Sequence, residues 1–223
     1  MPTLSEKERQ QVAERFQAIE NPVKLIHFTQ ELECETCAIA GEILGEIVEL
    51  SPKLSLEIYN FHADKEKAAQ YGIDKVPATI LEGARDYGVR FYGLPAGFEF
   101  ATLLEGILKV SRGQSGLSPE IAERLRELTT PVHLEVLVTP TCPYCPGMVH
   151  LAHQLAIESD LVTADMVEAT EFPDLVRRYS VEGVPKTVVN GNFGIEGAVP
   201  KADFVARLVE GAATGKEFPS IVR

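Results

Sequence analysis

The chain has 223 residues, with 21 Lys and Arg against 33 Asp and Glu and a formal net charge of −12; at about 150 residues per domain it suits one large domain or two small ones. Such a surface repels polyanions, so nucleic acid is not an expected ligand. The 45% of apolar and 24% of charged residues are those of an ordinary globular protein and exclude collagenous, low-complexity and largely disordered chains.

The opening residues, Met1 to Glu8, place acids where a signal peptide needs a basic head and an apolar run, and a cytoplasmic protein is expected. Ser5 with Glu8 forms a capping-box start for a helix to about Ile19. A strand over Val23–Thr29 leads to Cys34 and Cys37, and a helix is expected from Cys34 to about Leu50. A strand over Leu54–Phe61, a helix over about Lys65–Tyr71 and the pair Val76-Pro77 follow. A hairpin then turns at Glu82-Gly83, and a helix runs from about Phe98 to Val110. Gly113-Gln114-Ser115-Gly116 marks a composition shift, read as a short flexible joint between units 1–113 and 117–223.

The second unit repeats this order. Ser118-Pro119-Glu120 starts a helix to about Leu128, and a strand covers Val132–Val138. A helix is expected from Cys142 to about Glu158, a strand over about Leu161–Val167 and a helix over Phe172–Tyr179. Val184-Pro185 precedes a hairpin whose Asn190-Gly191 suits a type I′ turn, and the last helix covers about Lys201–Glu210. The longest stretch without Asp, Glu, Lys or Arg, Val136–Ile157, is broken by Pro140, Pro143, Pro146 and Gly147, so no membrane-spanning helix is expected.

An internal repeat underlies the parallel. Cys34 and Cys142, Cys37 and Cys145, and Pro77 and Pro185 each stand 108 residues apart, and the segments Tyr71–Thr79 and Tyr179–Thr187 align at the same offset. The expected fold is therefore α/β, with two tandem units, each a four-stranded mixed sheet flanked by helices in the order α-β-α-β-α-β-β-α.

The four cysteines form two C-x-x-C pairs with none left over, and each pair closes only a tiny loop, unlike the frameworks of secreted scaffolds. Two residues between cysteines let both sulfurs meet across one turn at a helix N-terminus. Unpaired N–H groups and the macrodipole stabilise a thiolate there. Cys34 and Cys142 are the expected nucleophiles, Cys37 and Cys145 the resolving thiols. One zinc held by all four thiolates is the competing reading, but 105 residues separate Cys37 from Cys142, against about 15 to 20 in zinc ribbons. A zinc site of Cys142, Cys145, His150 and His153 would have to reach two turns along one helix, and the two histidines are read instead as a half-exposed helix face. No metal and no cofactor is expected. The glycines of Gly191–Gly197 fall in a hairpin and not between strand and helix, so they are not a phosphate loop.

A C-x-x-C at a strand-to-helix junction, with Val-Pro 40 residues after its second cysteine, resembles the thioredoxin fold. Thr139-Pro140-Thr141-Cys142-Pro143-Tyr144-Cys145-Pro146 is similar to the glutaredoxin C-P-Y-C site. Two such units, with Tyr92-Gly93-Leu94-Pro95-Ala96-Gly97 in the first and Asp165-Met166-Val167-Glu168-Ala169 in the second, resemble the two-unit protein disulfide oxidoreductases of thermophilic archaea and bacteria. The resemblance covers essentially the whole chain. It implies dithiol/disulfide exchange with protein substrates, an isomerase direction among those open, and a thioredoxin-reductase-like flavoprotein as reductant. It also implies cis peptide bonds at Pro77 and Pro185, which would free the backbones of Val76 and Val184 to pair with an extended substrate. The first motif, Cys34-Glu35-Thr36-Cys37, departs from the pattern in lacking an aromatic residue. Two other readings stand beside this one: a non-catalytic metal- or protein-binding module, and the electron-delivery domain of a peroxide-reducing system. Cysteines in the first unit argue against the latter.

The two sites differ in charge. Glu31, Glu33 and Glu35 are read as a solvated loop that opposes a thiolate on Cys34. No acid lies between Val136 and Ile157, Thr141 is a candidate helix cap, and Pro146 removes a backbone N–H. The second site is thus expected to be the more reactive and more oxidising, with electrons passing toward it provided the two sites can communicate. His27 and Glu135, each seven residues before its nucleophile, are read as equivalent edge or semi-exposed polar residues, with proton relay as the less favoured role.

Overall fold

In the computed structural model, residues 3–214 are described; the ends of the two expected units, 1–2 and 215–223, lie outside them. The first unit runs α1 (Glu6–Phe16), β1 (Val23–Thr29), α2 (Cys37–Val48), β2 (Leu54–Asn60), α3 (Lys65–Tyr71), β3 (Ala78–Glu82), β4 (Asp86–Tyr92) and α4 (Phe98–Arg112). The second runs α5 (Pro119–Leu125), β5 (Val132–Val138), α6 (Cys145–Glu158), β6 (Val162–Glu168), α7 (Pro173–Arg178), β7 (Lys186–Val189), β8 (Phe193–Glu196) and α8 (Lys201–Thr214). No helix among the described residues is long and apolar enough to cross a membrane.

The local signals act as their chemistry requires. Ser5 and Glu8 form a reciprocal capping box on α1, and Pro119 opens α5 in the first turn, where its missing N–H costs nothing. Asn190 and Gly191 both have positive φ, 50° and 66°, as a type I′ turn demands. Three expectations need correction. Helices α2 and α6 begin at the second cysteine of each motif, not at Cys34 and Cys142. Helix α1 stops at Phe16 because Gln17, Ala18 and Ile19 bond back three residues rather than four, tightening the exit. The joint is not loose: Ser115 is buried, its carbonyl accepts from Gln154 Nε2 at 2.6 Å, and its hydroxyl meets Glu158.

The two four-stranded sheets are one. The strand order is β2-β1-β3-β4-β6-β5-β7-β8, so the units join edge to edge through parallel pairing of β4 with β6, from Val89 opposite Ala164 to Tyr92 opposite Val167. Pairing these edges satisfies two rows of backbone groups that would otherwise invite aggregation. One apolar layer lies between the sheet and α1, α2, α4, α6 and α8, and includes Phe16, Ile47, Phe91, Ile107, Leu155 and Phe204. A smaller layer with Ile26, Phe28, Ile80 and Leu137 lies beneath α3 and α7.

The seam between units is polar as well as apolar. His153, expected on a half-exposed face, is buried against it; its Nε2 lies 3.3 Å from the Arg90 carbonyl and its ring packs edge-on against Phe91. Burial, with His150 adding repulsion, drives its pKa down to about 3. At Gly97, φ is +59° and an added Cβ would sit 2.2 Å from the Pro140 carbonyl oxygen of the other unit. Gly97→Ala should therefore combine left-handed strain with a backbone clash and cost about 2 kcal/mol or more. Urea unfolding of the two proteins measures this, and equal midpoints would show that the seam yields freely.

Candidate functional site

Each C-x-x-C sits between a strand end and the first turn of a helix, closed as a disulfide: Cys34 to Cys37 and Cys142 to Cys145, each with Cα atoms 5.5 Å apart. Val76-Pro77 and Val184-Pro185 are both cis. In each pair the second cysteine is sealed in the core, whereas Cys34 is partly exposed and Cys142 is 8% exposed. Among the described residues no three His, Cys, Asp or Glu side chains gather as metal ligands.

The first site opens on a cavity of 560 Å³. Glu33, Cys34, Glu35, Thr36, Val76 and Pro77 line one side, and Thr170, Glu171 and Pro173 of the second unit line the other. Glu31, Glu33 and Glu35 are exposed, as a solvated loop should be. Glu171 is not: Leu94 N–H donates to its Oε1 at 2.6 Å and the Thr36 hydroxyl donates to Oε2. Burial pushes the Glu171 carboxyl up from its ordinary value, against these two hydrogen bonds.

At the second site the Cys142 sulfur lies 3.7 Å from the Val184 carbonyl oxygen, and the Cys145 N–H donates to it at 3.1 Å. The expected Thr141 cap is not formed, because the helix starts later and Tyr144 occupies the cap position without a side-chain bond. The sulfur takes the first helical N–H instead. A second cavity, of 410 Å³, is lined by Thr139, Val181 and Val184 together with Thr170 and Pro173. Thr170 and Pro173 thus wall both cavities.

His27 and Glu135 are not equivalent. The paired strands run Val23–Thr29 and Val132–Val138, an offset of 109, and His27 pairs with Thr79 where Val136 pairs with Thr187. The extra residue of the first unit lies in the loop after β1, where Glu33 takes φ 57°. His27 faces α2 from a central strand, fully buried, with Nδ1 3.1 Å from Thr79 Oγ1 and its ring 3.8 Å from the place a Gly41 Cβ would occupy. Burial lowers its pKa to about 4, opposed by the backbone of Cys37 and Ala78. Glu135 faces α7, where Tyr179 Oη donates to it at 2.7 Å and Lys75 of the first unit lies 3.7 Å away.

Across one sheet, β1 and β5 run in the same direction, four places apart in the strand order. Both C-x-x-C motifs therefore open at the same end of the sheet, after strands whose axes lie about 19 Å apart at about 4.8 Å per strand.

The thioredoxin domain family model matches residues 132–210. The crystal structure of a protein disulfide oxidoreductase from Aeropyrum pernix is 33% identical, with 96% of each chain covered and a TM-score of 0.88. The chain belongs to this family of protein disulfide oxidoreductases. This oxidoreductase chain is also similar to the NTD_N/C domain of alkylhydroperoxide reductase AhpF from Enterococcus faecalis, 26% identical with a TM-score of 0.84 over 92% of this chain and 99% of that one. The F component of the alkyl hydroperoxide reductase of Xanthomonas campestris is 27% identical over 77% of this chain. The chain spans 30 to 37% of the length of the curated relatives it matches.

Sequence reasoning missed Glu99 as well as Glu171. Glu99 stands in the first turn of α4, whose Phe98 N–H donates to the Pro140 carbonyl two residues before Cys142. Its carboxyl is buried, and burial pushes its pKa up to about 7, with Thr102 opposing. A folded-state pKa above the unfolded one gives stability that is complete below about pH 4.5 and lost as pH rises through 7. Glu99→Gln, which mimics the protonated acid, should match the wild type near pH 4 and exceed it by up to about 3 kcal/mol at pH 8. Parallel denaturant titrations at the two pH values check this; the same difference at both would refute the buried titration.

Proposed function

We propose that the chain catalyses reversible dithiol/disulfide exchange with protein substrates through both C-x-x-C pairs. The observation that supports this most directly is the pairing, twice over, of a disulfide at a helix start with a Val-Pro wall. In the reducing direction the Cys142 thiolate attacks one sulfur of a substrate disulfide, forms a mixed disulfide and releases the other sulfur as a thiolate. The Cys145 thiolate then attacks the Cys142 sulfur, closing the enzyme disulfide and releasing the second substrate thiolate. Two electrons pass to the substrate, and its thiolates take up two protons from solvent. Cys34 and Cys37 would act likewise in the first unit, and the oxidising direction is the reverse. Val76 and Pro77, and Val184 and Pro185, are read as the walls against which an extended substrate backbone lies.

Disulfide exchange needs sulfurs in contact, and the strands that lead to the two sites lie about 19 Å apart. Electrons would therefore cross from one pair to the other only through a third dithiol, a substrate or a mediator, and the direction suggested by the charge pattern would hold only along such a route. A thioredoxin-reductase-like flavoprotein fits as the external donor, and a reducing cytoplasm suits that direction. The units are read as 1–113 and 117–223, each with its own site. A second reading, electron delivery within a peroxide-reducing system, draws on the likeness to the AhpF domain.

Insulin reduction with dithiothreitol and refolding of scrambled ribonuclease, on the wild type beside Cys34→Ser and Cys142→Ser, test the proposal. Each variant should lose the contribution of its own site, and Cys142→Ser should lose more, because the Cys142 sulfur already holds a helical N–H and lies in no acidic loop. Wild-type rates in both variants would sink the exchange reading. Efficient reduction of a peroxide-reducing protein without turnover of insulin would favour the second one.

A further inference from the structure

The cavities at the two redox sites differ in charge. Glu33, Glu35 and Glu171 all line the first, around Cys34, and no Lys or Arg lines it. Glu33 and Glu35 flank Cys34 in the chain and are exposed, while Glu171 reaches the same cavity from the second unit, its carboxylate held in place by the Leu94 N–H and the Thr36 hydroxyl. Among the described residues, none of the three forms an ion pair. Lys75, the residue before Val76, is engaged elsewhere: its ammonium lies 2.9 Å from Asp74, 3.7 Å from Glu135 and 3.9 Å from the centre of the Tyr92 ring. The second cavity has an apolar lining. Ala169, Val176, Val181 and Val184 contribute to it, and its one acid is the exposed Glu182.

A protein substrate that offers its cysteine to one of these sites brings the neighbouring side chains against the same walls. A Lys or Arg beside that cysteine would meet three carboxylates without a cation of their own at the first site, well inside the roughly 10 Å over which salt leaves exposed charges felt. An acidic neighbour would be repelled. We infer that the first site selects substrate cysteines flanked by Lys or Arg, whereas the second takes cysteines with apolar neighbours and discriminates little by charge. Glu33, Glu35 and Glu171 are then specificity determinants: acids that oppose a thiolate on Cys34 also attract the substrates that this thiolate attacks. The inference rests on the exchange reading above and adds to it a division of substrates between the two units.

The test isolates the first chemical step in two single-thiol proteins, Cys37→Ser/Cys142→Ser/Cys145→Ser and Cys34→Ser/Cys37→Ser/Cys145→Ser. Each is mixed with short peptides whose cysteine is capped as a disulfide with thiopyridine, flanked on both sides by Lys in one peptide and by Glu in the other. The protein thiolate attacks the peptide sulfur, a protein–peptide disulfide forms as the old S–S bond breaks, and the thiopyridine anion leaves and takes a proton from water to give the absorbing thione. Taking the ratio of the two rates, Lys over Glu, cancels any effect of the acids on the reactivity of Cys34 itself. That ratio should be about tenfold larger for the Cys34 protein than for the Cys142 protein at low ionic strength. It should shrink at about 1 M salt, where charges are felt over only about 3 Å. Glu33→Gln/Glu35→Gln, at two exposed positions, should remove most of the excess, and Glu171→Gln the remainder. Equal ratios in the two proteins would overturn the inference, as would an excess that survives all three neutralisations. Insulin turnover by the wild type keeps the two questions apart. An active wild type with equal ratios rejects only the division of substrates, whereas an inactive wild type rejects the exchange reading.

Discussion

The parallel pairing of β4 with β6 is the constraint on which the rest of the molecule depends. Four residues of each strand are in register, and that short ladder turns two sheets into one. Because the second unit extends the first as a further run of parallel and antiparallel strands, β1 and β5 come out with the same direction. Both motifs then lie at the same end of the sheet, and the segments leaving β4 and β6 must pass close to each other there. Gly93 and Gly97 approach Glu168 and Pro140 so closely that no Cβ would fit without displacement. The wall shared by the two cavities, Thr170 and Pro173, follows from the same geometry.

Most of the fold was legible because its signals are local. The capping box, the proline at a helix start and the Asn-Gly turn act within a few residues, and the 108-residue repeat carried the element order from one unit to the other. The helix starts were misplaced by three residues because the C-x-x-C turn holds its first cysteine outside the helix, a matter of backbone geometry that residue types do not record. The merging of the sheets was not legible at all. Strands β4 and β6 are the edge strands of their own units, and edge pairing is decided between elements far apart in the chain.

The sites were legible in part, and the errors share one cause. Counting back from the cysteines assumed that the offset of 108 holds everywhere, but one additional residue in the loop after β1 makes the strand offset 109. With a side-chain period of 2, a slip of one residue exchanges the two faces of a strand. His27 was therefore paired with Glu135 when its structural counterpart is Val136. One is a neutral imidazole sealed beneath α2; the other is a carboxylate tied to Tyr179 and Lys75 on the opposite face. Glu171 escaped notice for the complementary reason: it meets the other unit's motif at Thr36, so no distance along the chain links it to that motif.

The acids around the first site come from both units and differ in setting. Glu31, Glu33 and Glu35 are exposed, so water and salt screen their charge within about 10 Å, although Glu33 and Glu35 border the cavity that Cys34 lines. Glu171 and Glu99 are withdrawn from solvent, and burial raises the pKa of each. A charge in that setting acts with less screening and, where it accepts a hydrogen bond, with fixed direction. The asymmetry between the units thus resides at the seam. The first motif meets a carboxylate through a hydroxyl, while the second offers its sulfur a backbone N–H. Two copies of one fold place their motifs in different surroundings because each faces a different part of its neighbour, and the joined sheet is what keeps those faces in place.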